Sequence, residues 1–364
     1  MKQWFDKYVS NTIAGSGNQH AFRMMEGEVR RSRVYYKVFA GGEWGYSLLY
    51  TNIVDSTFAD GKITGCNMIC DTWTIHSASV GVCAQCGPEN AAEPCDVQKL
   101  TFGGCESKTV APGEFFVTDE VRIQAEKDEY ICVEMVFSGS LIPCHPESII
   151  PAFIEQDGAF VPSQQLPFAS MLGCDRPVRA KVGFMGDSIT QGIGVANNSY
   201  AHWNALCAQM IGEEWGWWNL GLGYARAFDA SSDGAWLYKG KHCDYVVVCY
   251  GTNDVGWGRE PEQIVGDLRK IVEKLHEAGA KVLLQSLPPF DWKGETLAKW
   301  LETNKRVREE LRPLADAFFD IAPVLTDDEA GGACLHGSHP DDIGCALWAE
   351  ALVPVLKEML VREE

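Results

Sequence analysis

One change of pattern, near residue 175, constrains the fold of this 364-residue chain more than any other feature. Before it, β-branched or aromatic-rich segments such as 33–39, 121–125 and 130–137 alternate partly in polarity between Gly, Asp, Asn and Pro turns. Residues 1–175 are therefore read as an all-β sandwich or jelly-roll domain. The stretch from Phe160 to Pro167, continuing to Arg176 and Pro177, reads as a linker. From Lys181 onward apolar strands alternate with helical patterns, as in a parallel sheet covered by helices. Strands are predicted at 181–186, 216–219, 244–250, 281–286 and 317–321. A helix over 261–278 opens with Pro261 and Glu262, stops at Gly279, and places Ile264, Leu268, Ile271, Val272 and Leu275 on one face. Further helices are predicted over about 294–312 and 343–361. Residues 176–364 are thus expected to form a three-layer α/β/α domain.

Within that second domain, Gly186-Asp187-Ser188-Ile189-Thr190 follows the apolar run 182–185 and leads into a turn containing Gly192 and Gly194. Ser188 then sits where a strand hands over to a helix, a place where unpaired N–H groups and the helix dipole favour negative charge. That makes it a candidate nucleophile, although the Gly-x-Ser-x-Gly frame of an α/β-hydrolase elbow is absent. Asp187 is expected to hold the turn by bonding nearby N–H groups. Three more segments follow in order: Asn219-Leu220-Gly221, Gly251-Thr252-Asn253-Asp254 directly after the Val-rich run 245–250, and His339-Pro340.

These four segments, in this order over residues 182–345, resemble the blocks of the SGNH (GDSL) hydrolase superfamily. An all-β domain ahead of them is similar to the arrangement in the two-domain carbohydrate acetylesterases of that superfamily. The resemblance implies that Ser188 is the nucleophile and His339 its base. It further implies an oxyanion hole made of the backbone N–H groups of Ser188 and Gly221 and the side-chain amide of Asn253.

At one position the pattern breaks. An aspartate three residues before the histidine is usual in this superfamily, and here that residue is His336. Three readings stay open: a Ser–His dyad with the imidazole oriented by a backbone carbonyl, an orienting acid supplied by Asp341, Asp342 or a more distant carboxylate, and an inactive member that binds carbohydrate. No zinc frame surrounds His336 and His339, and no metal or other cofactor is expected there. The group Cys66, Cys70, Cys83, Cys86, Cys95 and Cys105 contains one zinc-compatible half-site, and whether it binds zinc stays open, as do disulfides were the protein exported.

Composition narrows the substrate. A net charge of −19 argues against nucleic acid and anionic membranes as partners, because nothing would offset phosphate repulsion. The N-terminus lacks an apolar core of signal-peptide length, so a cytoplasmic location is expected and the 14 cysteines read as reduced thiols. Trp257, three residues past Asp254 on a predicted loop, is the best candidate for a sugar-stacking platform. Trp217, Trp218, Tyr224, Trp236 and Tyr238 are more simply explained as core. The expected activity is removal of O-acetyl groups from sugars or oligosaccharides through an acyl-enzyme. A lipid esterase or lysophospholipase on the same site is the alternative, and homo-oligomerisation is left open.

Overall fold

The β-branched and aromatic segments of the first half pair in antiparallel sheets, turning alternate side chains to a shared interior. The computed structural model describes residues 1–15, 17–56, 67–326 and 332–361. The chain divides into two compact units, Met1–Pro177 with Gly216–Trp218, and Val178–Trp215 with Asn219–Glu364.

In the first unit, one antiparallel sheet runs in the order Val9–Ser10, Met171–Cys174, Gly42–Thr51 and Phe115–Val117, with Val121–Ala125 also paired to Gly42–Thr51. A second runs Ala159–Pro162, Ala152–Gln156, Arg30–Lys37, Tyr130–Gly139, Trp73–Cys83 and Cys95–Leu100, with Lys108–Val110 beside Trp73–Cys83. Trp73 of the second sheet meets Phe116 of the first with ring centroids 6.0 Å apart and Phe137 at 6.4 Å, and Leu48, Ile75 and Ile131 are wholly buried. The predicted linker begins instead as an edge strand. Asp157 and Gly158, at φ of 52° and 81°, form a tight turn that folds Ala159–Pro162 back onto Ala152–Gln156. Of the cysteine group, Cys70 and Cys83 are buried, Cys86 is half-buried, Cys95 and Cys105 are exposed, and Cys66 lies outside the described residues. Among the described residues no group of three or more His, Cys, Asp or Glu side chains is arranged to hold a metal ion.

The second unit is built on a sheet ordered Asn219–Gly221 (the end of strand Gly216–Gly221), Lys181–Gly186, Tyr245–Cys249, Lys281–Gln285 and Ala317–Phe319. Pairings from Lys181–Gly186 through to Ala317–Phe319 are parallel. Val246, Val247 and Val248 are all wholly buried, as a strand covered on both faces requires. Trp203 of helix Trp203–Ile211 stacks on Trp348 of helix Asp342–Val361 at 4.7 Å, while Pro261–Glu277 packs with Ala227–Ser231 and Gly294–Arg306. The helix predicted over 294–312 is shorter than expected. It passes at Val307 into a π-helical turn and then a 3-10 turn, Arg312–Leu314, where Pro313 has no N–H to continue the ladder. No helix among the described residues is long and apolar enough to cross a membrane.

Strand order sets the position of the site. The chain enters the sheet at Lys181–Gly186, moves to one side for Gly216–Gly221, then returns to the other side for Tyr245–Cys249. The reversal opens a crevice at the carboxyl ends of Lys181–Gly186 and Tyr245–Cys249, where open α/β sheets bind ligands. Ser188 and Asn253 follow those two strands directly.

Candidate active site

Asp187 ends the strand and starts a single helical turn, Ser188–Gln191, its Oδ1 accepting the Ile189 N–H at 3.0 Å. Gly192, in the left-handed conformation at φ 114°, closes the turn. Buried amides hold it from behind: Asn204 Nδ2 donates to the Thr190 carbonyl, and Asn219 Nδ2 to the Gln191 carbonyl at 3.2 Å. His202 Nδ1 meets Asn204 Oδ1 at 2.7 Å, and burial pushes that imidazole down to about 4. A neutral His202 can therefore brace Asn204 without placing a charge behind Ser188.

Ser188 Oγ and His339 Nε2 are 2.8 Å apart, 151 residues distant in sequence. For Nε2 to accept the hydroxyl proton, the imidazole carries its own proton on Nδ1. Burial lowers the His339 pKa from its usual value, which favours the neutral, base-competent form. Two contacts fix the histidine. Phe290 packs against the imidazole with centroids 5.4 Å apart and planes at 74°. Gly194, at φ +112°, lets the nucleophile loop approach so closely that a Cβ there would stand 2.7 Å from the His339 carbonyl oxygen.

The expected orienting acids lie elsewhere. Asp341 Oδ1 accepts the Gly344 N–H at 2.9 Å, capping the last helix, and sits 3.6 Å from His336 Nδ1. Asp342 is the exposed first residue of that helix. Among the described residues no carboxylate or carbonyl bonds His339 Nδ1, and burial is the sole cause of its pKa shift. The reason is geometric. Asp341 follows His339 by two residues and is drawn into the helix cap, where the unpaired N–H groups of the first turn are.

One of the three expected oxyanion donors is engaged elsewhere. Gly221 is the last residue of its strand, and its N–H is already bonded to Asn219 Oδ1 at 2.8 Å. Its lack of a side chain has another use: a Cβ would stand 2.1 Å from the Gln191 nitrogen, so only glycine lets this strand end abut the Ser188–Gln191 turn. Ser188 N–H, at the first helical position, has no intrahelical acceptor. Asn253 Nδ2 donates one proton to the Ala225 carbonyl at 3.0 Å and keeps a second N–H, since a carboxamide carries two. Asp254 accepts from Ala227 N–H at 2.7 Å and lies 3.3 Å from Arg259 Nε, anchoring the Asn253 turn. Burial raises Asp187 to about 7 and Asp254 to about 6, each further raised by a neighbouring carboxylate.

Trp257 caps helix Thr252–Gly256, its N–H bonded to the Asn253 carbonyl, and is 50% exposed. Trp217, Trp218 and Trp236 are buried. Sequence reasoning missed Gly194 and Phe290. Phe290 lies in a Pro-rich loop after strand Lys281–Gln285, a strand-end position of the same kind as those that carry Ser188 and Asn253.

Residues 184–347 match the model of the GDSL-like lipase/acylhydrolase family. The matched stretch, Gly216–Trp218 apart, lies within the second unit, and the four sequence blocks fall inside it. Solved structures similar to this chain include a G-D-S-L family lipolytic protein from Desulfitobacterium hafniense, at 20% identity over 48% of this chain and 98% of that one, TM-score 0.42. A carbohydrate esterase family 3 protein from Talaromyces cellulolyticus matches at 18% identity over 50% and 99%, TM-score 0.38. A family two carbohydrate esterase from Cellvibrio japonicus matches at 13% identity over 95% and 99%, TM-score 0.39. Comparison with curated proteins gave no match.

Proposed function

We propose that this chain is a serine esterase that removes O-acetyl groups from carbohydrates. The observation that carries the reading is the 2.8 Å contact between Ser188 Oγ and His339 Nε2 at the sheet's switch point. The Ser188 proton passes to Nε2 as Oγ attacks the acetyl carbonyl. Negative charge on the carbonyl oxygen is met by the Ser188 N–H and the second N–H of Asn253. On collapse, His339 gives its proton to the departing sugar oxygen. Water, deprotonated by the same imidazole, then releases acetate from the acyl-enzyme.

A sugar substrate is supported by Trp257, 50% exposed, which caps the helix that carries Asn253. Aromatic faces of this kind stack on the apolar faces of sugar rings. The net charge of −19 favours a neutral oligosaccharide ester over phosphate-bearing lipids or nucleic acid. Buried thiols such as Cys132, Cys207 and Cys249 fit a reducing, cytoplasmic setting. The test compares 4-nitrophenyl acetate with the octanoate and follows acetate release from acetylated oligosaccharides. Fast turnover of the acetate ester with acetate release is expected. A preference for eight or more carbons would replace the sugar reading with a lipid one.

A further inference from the structure

In a serine–histidine site without a carboxylate on the base, something else has to stop the imidazole from turning away. Phe290 packs on the His339 ring, at a centroid distance of 5.4 Å and close to perpendicular, a geometry that aromatic rings favour. Phe290 is itself held from two sides. Trp292 lies against it at 5.0 Å, and its Cη2 stands 3.3 Å from where a Cβ on Gly256 would be, against the helix that carries Asn253. The intervening Asp291, at φ 54°, accepts the Cys334 N–H at 2.9 Å and so ties this loop to the segment leading to His339. The Phe290 loop therefore bridges the base segment and the oxyanion turn.

We propose that Phe290 is a positioning residue for the reaction, fixing the His339 imidazole toward Ser188 by ring packing in place of an orienting acid. This rests on the reading of Ser188 and His339 as the reacting pair. The nearby charged groups are turned to other tasks: Asp341 to the Gly344 N–H and His336, Asp291 to Cys334, and Asp187 to Ile189. Burial is what depresses the His339 pKa, so removing the aromatic cover should hydrate the ring and raise it.

The experiment measures kcat and KM for 4-nitrophenyl acetate across about pH 5 to 8 in the wild type, Phe290→Leu, Phe290→Tyr and His339→Ala. Phe290→Leu is expected to lower kcat about tenfold with KM nearly unchanged, and to move the acid limb of kcat/KM to higher pH. Phe290→Tyr, which keeps the ring, should restore both. A leucine variant with wild-type kcat and an unmoved limb overturns the proposal, as does a tyrosine variant as impaired as the leucine one. Should the leucine variant fail to fold, Phe290→Met is read by the same criteria. Full activity in His339→Ala would instead remove the reading on which the proposal rests.

Discussion

Gly194→Ala tests whether the nucleophile loop sets the position of the base. A Cβ at residue 194 would stand 2.5 Å from the Pro340 carbonyl oxygen and 2.7 Å from that of His339, where ordinary contact begins at 3.4 Å. Both clashing atoms are backbone, so no side chain can swing aside. The 339–340 segment has to withdraw by roughly 0.9 Å, which stretches the 2.8 Å Ser188–His339 contact beyond hydrogen-bond range. A misplacement of about 1 Å at a reacting group costs on the order of 10²-fold in rate. At φ +112° the new side chain is also strained, by about 1–3 kcal/mol. The expected result is a loss of about 10²-fold in kcat on an aryl acetate with a lowered melting temperature, in protein whose circular dichroism below the melt is native. Retention of kcat within about threefold of wild type would refute the reasoning, because the base would then be held independently of Gly194.

Three further outcomes follow from the same geometry. The acid limb of kcat/KM in the wild type should fall below the usual histidine value: the neutral imidazole is the active form, and burial lowers its pKa, so activity persists to lower pH than an exposed histidine would allow. A limb above about 6.5 contradicts this. Asn253→Ala should lower kcat by about 10²–10³-fold if its free N–H faces the oxyanion, whereas an effect confined to KM would remove it from the oxyanion hole. Asp341→Asn should cost at most about tenfold in kcat, because the carboxylate caps the last helix and does not touch His339; loss of activity in the folded variant would restore it as the orienting acid.

The architecture of the second unit was legible because each signal was local. The amphipathic run after Pro261 and the glycine at 279 locate a helix observed at Pro261–Glu277, and the Val-rich run before Gly251 locates the buried strand Tyr245–Cys249. What stayed hidden was decided by partners distant in sequence or by side-chain rotamers. A glycine at 221 reads as an oxyanion donor until Asn219 Oδ1 is found on its N–H. Asp341 reads as a base-orienting acid until the helix cap claims it. The contact of Phe290 with His339 joins residues 49 positions apart and leaves no periodic trace in the sequence. Residues 160–162 read as linker because Phe160, Val161 and Pro162 form only an edge strand, where a proline and partial exposure are tolerated.

The central claim, that Ser188 is the nucleophile activated by His339, is tested most directly by labelling with a fluorophosphonate, which traps an activated serine covalently, followed by peptide mass mapping. One label is expected, on the peptide containing Ser188, absent in Ser188→Ala and formed far more slowly in His339→Ala. Labelling at another residue, or undiminished labelling of folded Ser188→Ala, would contradict the account.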